Sequence, residues 1–318
     1  MRHGAPDKPG MAVVAALFPG QGAQRVGMGA DLISTEPAVA AAFERAGAVL
    51  GYDLAAFCLR GPAHELSRTA RAQPALFTLS VGIWRALEER GVRAACAAGH
   101  SIGEFAAWVA AGAVDFHEAL ELVSKRAELM ERAATARPGA MAAILGLPSE
   151  MVERICSQVE GTCQPAAYNC PGQVVISGEA RAVEAAERLA AEAGAKTIRL
   201  GVSGAFHSPL MAEAAERFRA EVDAADIKDA QVPVAANAHG RAVMKAEEIR
   251  SAMREQMLSP VRWEAGIRAL LQTGAQLLVE VGPGAVLTGL LRRIGKEARG
   301  ACVQDRASLQ EALSILSG

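Results

Sequence analysis

Ser101 lies in the pentapeptide Gly99-His100-Ser101-Ile102-Gly103. The G-x-S-x-G spacing is that of a nucleophile elbow, where a serine is held in a crowded turn between a strand and a helix. Glycines at the two outer positions leave room where the backbones converge. The surroundings suit that arrangement: the short apolar run Ala94 to Ala98 precedes the turn, and Glu104 to Ala110 reads as a helix. A helix starting at the turn aims free N–H groups at the point where negative charge develops during acyl transfer. A turn of small residues that merely contains serine would show the same letters. The strand–turn–helix context is what favours a nucleophile.

A neutral hydroxyl attacks poorly without a base. The six histidines are His3, His64, His100, His117, His207 and His239. His3 is in a polar tail, His64 and His117 flank helices as surface residues, and His239 is in the loop Ala-Asn-Ala-His-Gly. His100 is inside the elbow and faces away from the serine. His207, in Ser203-Gly204-Ala205-Phe206-His207-Ser208-Pro209, is the best placed candidate. No Asp or Glu follows it in a motif-like setting, so a backbone carbonyl is the alternative group to orient its ring. Gly20-Gln21-Gly22 follows the first apolar run. An N–H there could join that of Ile102 in an oxyanion hole, although a plain turn fits the same residues. Arg126 lies in a helical stretch, where most charged side chains are solvated; turned inward, it could hold a substrate carboxylate bidentately.

These groups need a scaffold. The apolar run Met11 to Phe18 reads as a buried strand, and helices are expected over Thr35 to Leu50, Gln73 to Arg90 and Phe116 to Ala136. Apolar runs alternating with helices predict a parallel sheet covered on both faces. The pattern then changes to strand Gly139 to Gly146, helix Ser149 to Val159 with Ser149 as N-cap, strands near Ala166 to Tyr168 and Val174 to Ser177, helix Ala180 to Ala193 and strand Lys196 to Leu200. That βαββαβ order is ferredoxin-like. Leu277 to Val281 reads as a further strand, and the segment after it as mostly helical. The expected architecture is therefore α/β: an α/β-hydrolase-like large unit over 11–137 and 205–318, a ferredoxin-like small unit over 138–204, and a disordered tail over 1–10. The tail lacks the apolar centre of a signal peptide, and Met11 is an alternative start.

With 318 residues, 51% hydrophobic, the chain can bury a sizeable core. A net charge of −2 offers no electrostatic case for nucleic acid or an anionic membrane. No apolar run reaches the ~18 residues of a membrane span. Six scattered cysteines without metal-ligand spacing read as reduced thiols of a cytoplasmic protein.

Several separated stretches together resemble the malonyl-CoA:acyl carrier protein transacylases, including the stand-alone acyltransferases of polyketide synthesis. They are Leu17 to Gln24, Gly99 to Glu104, Arg126 in its helix, Asn169 to Gly178, Gly204 to Ser208, Gln256 to Trp263 and Glu280 to Gly284. The resemblance covers about Met11 to Lys296. It implies Ser101 as the acylated nucleophile, His207 as the base, the N–H groups of Gln21 and Ile102 as the oxyanion hole, and Arg126 as the clamp on the malonyl carboxylate. It further implies that the backbone carbonyl of Gln256 orients His207, that Gln73 lies near the arginine, and that Asn169 is on the substrate side. Lys196 and Arg199 are weaker candidates for holding CoA or carrier phosphates. Phe206 resembles the malonyl-selective type, filling the space an α-methyl group needs, and Ile102 agrees with that type; Gly204-Ala205 is less usual before Phe-His.

The expected reaction is ping-pong transfer of malonyl from malonyl-CoA through Ser101 to the phosphopantetheine thiol of a carrier protein. No metal or redox cofactor is implied, since CoA is a substrate handle. Two other functions use the same residues less fully. A serine hydrolase editing acyl carrier proteins would not need Arg126, and a non-catalytic docking subunit would need none of Ser101, His207 and Arg126.

Overall fold

A computed structural model describes residues 13–202, 204–295 and 298–317. The tail expected over residues 1–10 lies outside the described residues, as do Met11 and Ser203. Among the described residues ten strands form two sheets. In chain order they are β1 (Val14–Phe18), β2 (Ala94–Gly99), β3 (Gly139–Leu145), β4 (Cys163–Cys170), β5 (Gln173–Glu179), β6 (Lys196–Arg199), β7 (Val234–Ala236), β8 (Arg241–Val243), β9 (Leu277–Val281) and β10 (Arg299–Val303).

The large sheet runs β10-β9-β1-β2-β7-β8. Every pairing in it is parallel except that of β7 with β8. All five residues of β1 and of β9 are buried, as befits strands covered by helices on both faces. In register, Phe18 lies opposite Gly99, so the loops leaving β1 and β2 emerge side by side. The N–H of His100 donates to Phe18 O at 2.9 Å, which ties the elbow to the first loop.

The small sheet is antiparallel, in the order β4-β5-β3-β6. With helices Ser149–Gln158 and Ala180–Glu192 it is a ferredoxin-like βαββαβ unit. Alternation along β3 separates its two faces. Ala142 and Ile144 pack beneath those helices with Val152, Ile155 and Val183, whereas Met141 and Ala143 join the core of the large unit. The two units are also stitched by backbone: Tyr168 N–H donates to Val261 O, and Val261 N–H to Ala166 O, each at 2.8 Å.

Three sequence expectations are corrected. Ser149 is the first helical residue and makes no side-chain cap; Pro148, whose locked φ suits the extended conformation of a cap, stands before it. The helix expected from Gln73 starts at Thr69, with Pro74 inside it. The segment after Val281 holds helices Val286–Ile294 and Arg306–Ser317, but β10 lies between them as an edge strand.

Candidate active site

Ser101 follows β2 and precedes the helix Gly103–Ala110, with φ of +51°. Such a left-handed serine costs about 1–3 kcal/mol and persists only where its surroundings enforce it. The flanking glycines are part of that enforcement. A Cβ on Gly99 would lie 1.9 Å from the carbonyl carbon of Gly103, and one on Gly103 would lie 2.2 Å from Phe18 O.

His207 reaches the serine from the loop after β6, also with positive φ, +56°. Its Nε2 is 2.8 Å from Ser101 Oγ. Its Nδ1 is 3.0 Å from the carbonyl oxygens of both Gln256 and Ser259. Carbonyls only accept, so Nδ1 carries the proton and Nε2 turns its lone pair to the hydroxyl. Burial, then the Arg126 charge, push the His207 pKa down to about 3, against the pull of the two carbonyls. The ring is thus held neutral, in the tautomer a base requires. The loop is fixed from outside by Gln164, whose amide donates to His207 O at 2.9 Å, and from within by Ser208, whose hydroxyl donates to Ala205 O at 2.6 Å.

Arg126 projects inward from the helix Phe116–Ala136 and is fully buried. Its Nη2 donates to Ser101 Oγ at 3.2 Å, its Nη1 to Gln73 Oε1 at 2.7 Å and its Nε to Gln256 Oε1 at 2.9 Å. Both amide partners are neutral, and among the described residues no carboxylate pairs with the guanidinium. Burial lowers its pKa to about 10, which leaves it charged at neutral pH, with Glu104 opposing the shift. Gln73 in turn donates to Gln21 Oε1 at 3.3 Å, and Gln21 Nε2 to Thr69 Oγ1 at 3.2 Å. The side chains of the first loop and the arginine are therefore linked.

The other candidates fall into two groups. The N–H groups of Gln21 and Ile102 donate to no protein acceptor among the described residues, on loops that lie side by side. Phe206 is buried in the large core beside the histidine. Asn169 bonds not to the Ser101–His207 pair but to His100 Nε2, at 2.9 Å. Lys196 and Arg199 stand on β6, an edge strand of the small sheet; Arg199 is paired with Glu187, and among the described residues no hydrogen bond or ion pair links either to the site.

Two residues of this constellation were given no role by sequence reasoning. Glu104, 1% exposed, accepts from the amide of Gln256 and, at 2.7 Å, from the backbone N–H of Asn237. Burial raises its pKa to about 7, against these hydrogen bonds and the Arg126 charge. A single acid in the otherwise apolar helical run Gly103 to Ala110 was the available signal. Asn237 comes from the loop that sequence reading searched only for His239. Its Oδ1 accepts from Ser101 N–H and its Nδ2 donates to Gly99 O, both at 2.7 Å.

An elbow serine bonded to a histidine on a parallel α/β sheet defines an acyl-transfer enzyme of the nucleophile-elbow class. The sequence model of the acyl transferase domain matches residues 16–310, and the chain belongs to that family. The malonyl CoA-acyl carrier protein transacylase of Bacillus subtilis is 43% identical over 310 residues, 96% of this chain and 98% of that protein. Its namesake in Escherichia coli K12 is 40% identical, over 96% of this chain and all of that one. Among solved structures, an acyl carrier protein S-malonyltransferase from Vibrio cholerae superposes with a TM-score of 0.90 at 42% identity, covering 95% of this chain and 100% of the other. A malonyl-transacylase in complex with its type II polyketide acyl-carrier protein gives 0.91 at 42% identity, covering 95% and 99%.

Proposed function

We propose that this protein moves a malonyl group from malonyl-CoA to the phosphopantetheine thiol of an acyl carrier protein, through an ester on Ser101. The observation that carries the reading is Arg126: a buried cation, 3.2 Å from the nucleophile, held by two neutral amides and, among the described residues, ion-paired with no carboxylate. Leaving a buried charge unpaired is costly, and an acyl donor that ends in a carboxylate supplies the missing anion. The relatives' names and their near full-length similarity point the same way.

In the first half-reaction His207 Nε2 takes the Ser101 proton while Oγ attacks the thioester carbon. The oxygen that becomes negative is met by the free N–H groups of Gln21 and Ile102. Arg126 turns its outer nitrogens to the malonyl carboxylate and so fixes the carbonyl over the serine. The tetrahedral intermediate collapses with cleavage of the C–S bond, and the imidazolium returns its proton to the departing CoA thiolate. In the second half-reaction the carrier thiol gives its proton to His207 and attacks the ester carbonyl. The C–O bond breaks and Ser101 regains the proton. Nucleophile, base and charge clamp are all side chains, so the reaction as proposed uses no metal or redox cofactor. Among the described residues no helix is long and apolar enough to cross a membrane. We place the protein in the cytoplasm, where its six free thiols would stay reduced.

The test is mass spectrometry of the intact protein after a brief incubation with malonyl-CoA, with Ser101→Ala as control. The expected result is one malonyl adduct on Ser101 that persists in buffer and is discharged by holo carrier protein. Absence of an adduct would leave only docking, and an adduct lost to water as fast as to carrier would make the protein a hydrolase.

A further inference from the structure

We infer that Asn237 is a positioning residue for acyl transfer, its carboxamide clasping the elbow so that Ser101 stays in the strained backbone conformation from which it attacks. The inference rests on the proposed use of Ser101 as nucleophile. The geometry is bidentate and local: Asn237 Oδ1 takes the N–H of Ser101 and Nδ2 gives to the carbonyl of Gly99, both at 2.7 Å, so the bonds fall on either side of His100. The residue itself has no freedom to drift. Its own N–H donates to Glu104 Oε1 at 2.7 Å, its carbonyl accepts from Arg262 N–H at 2.9 Å, and it is 5% exposed.

Each end of the clasp answers a specific need. Among the described residues no other protein acceptor receives Ser101 N–H. Gly99 O is the last carbonyl of β2 before the turn. With the carboxamide removed, Ser101 N–H and Gly99 O lose the side chain that bridges them, and the backbone is free to relax from the left-handed conformation at φ +51°. That relaxation would swing Oγ away from His207 and re-aim the N–H of Ile102. Both changes act on the transition state and neither touches the donor's carboxylate, so the loss should appear in kcat and not in binding.

The experiment compares Asn237→Ala and Asn237→Asp with the wild type. Aspartate keeps the size and the acceptor for Ser101 N–H but sets an oxygen against Gly99 O, so it decides the matter should the alanine variant fail to fold. Ser101 is probed with malonyl-CoA and, separately, with a fluorophosphonate, which reports an activated serine whatever the natural donor. Expected are losses of about thirtyfold in Ala and about tenfold in Asp for both reactions, with malonyl-CoA affinity, measured in a Ser101→Ala background, changed by less than about threefold. Folded variants that react at the wild-type rate, or that lose affinity in proportion to rate, would overturn the inference. A wild type that takes the fluorophosphonate but not malonyl-CoA would sink the transfer reading alone.

Discussion

The backbone carbonyl of Gln256 lies 3.0 Å from Nδ1 of His207. The side chain of the same residue accepts from Arg126 Nε at 2.9 Å and donates to Ser101 O at 3.0 Å. One residue thus holds His207 with its main chain and Arg126 with its side chain. Substitution can separate the two duties, because a carbonyl survives any replacement.

Gln256→Ala should therefore weaken the clamp while leaving the base in its tautomer. Hydrogen bonds to charged groups contribute ~1.5–3 kcal/mol, so malonyl transfer should fall about tenfold to a hundredfold. Acetyl transfer and fluorophosphonate labelling should fall less. Equal losses in all three assays would show that Gln256 supports the whole site and not the arginine.

Arg126→Ala should lose malonyl transfer by about a hundredfold or more, since a charge-assisted bidentate pair disappears from a buried site. Acetyl-CoA, with no carboxylate to pair, should lose little and can gain, because an unpaired buried guanidinium is gone. Arg126→Lys should recover only part of the malonyl rate, as an ammonium lacks the planar fork. The measurement is kcat/KM for both donors in the three proteins; a common factor for both would refute the carboxylate clamp.

His207→Gln should nearly stop loading of Ser101 and should also change how stability depends on pH. The folded-state pKa of His207 is about 3, below the ordinary value of 6.5 that the unfolded chain retains. Between those values the unfolded chain takes up a proton that the folded one refuses, so stability is lost as pH falls through 6.5 towards 3. From pH 7 to pH 5 this one group should cost the wild type ~2 kcal/mol that the glutamine variant does not lose. Glu104, shifted the opposite way, is common to both proteins and drops out of the difference. Guanidinium unfolding at the two pH values measures it; parallel losses in the two proteins would mean that His207 is not held neutral by the fold.

Phe206→Ser should relax discrimination against methylmalonyl-CoA. One methyl group against a well-packed wall is worth ~1–3 kcal/mol, so a shift of about tenfold in the competition between the two donors is expected. Phe206 is buried in the core, so thermal stability should be measured alongside. A stable variant with an unchanged competition ratio would remove Phe206 from the α-carbon pocket.

What the sequence determined by itself was whatever depends on near neighbours. The elbow could be read because its glycines, strand and helix are contiguous, and close backbone approach demands those residue types there. The βαββαβ order could be read because each of its elements is long and periodic. The three-residue strands β7 and β8 could not, since so short a run carries no period, and β10 was hidden because Arg299-Gly300-Ala301 looks like loop or frayed helix until β9 gives it a partner. The site's wiring was decided only by tertiary structure. Arg126 and Gln256 are 130 residues apart, and Asn237 and Ser101 136. No spacing rule connects them; Ser101 and Asn237 meet because β2 and β7 lie side by side in parallel and their following loops emerge together, while Arg126 and Gln256 reach the same place from a helix and a helix end. The same packing buries both side chains, and that burial turns an ordinary helical arginine into a buried cation and a loop histidine into a neutral ring.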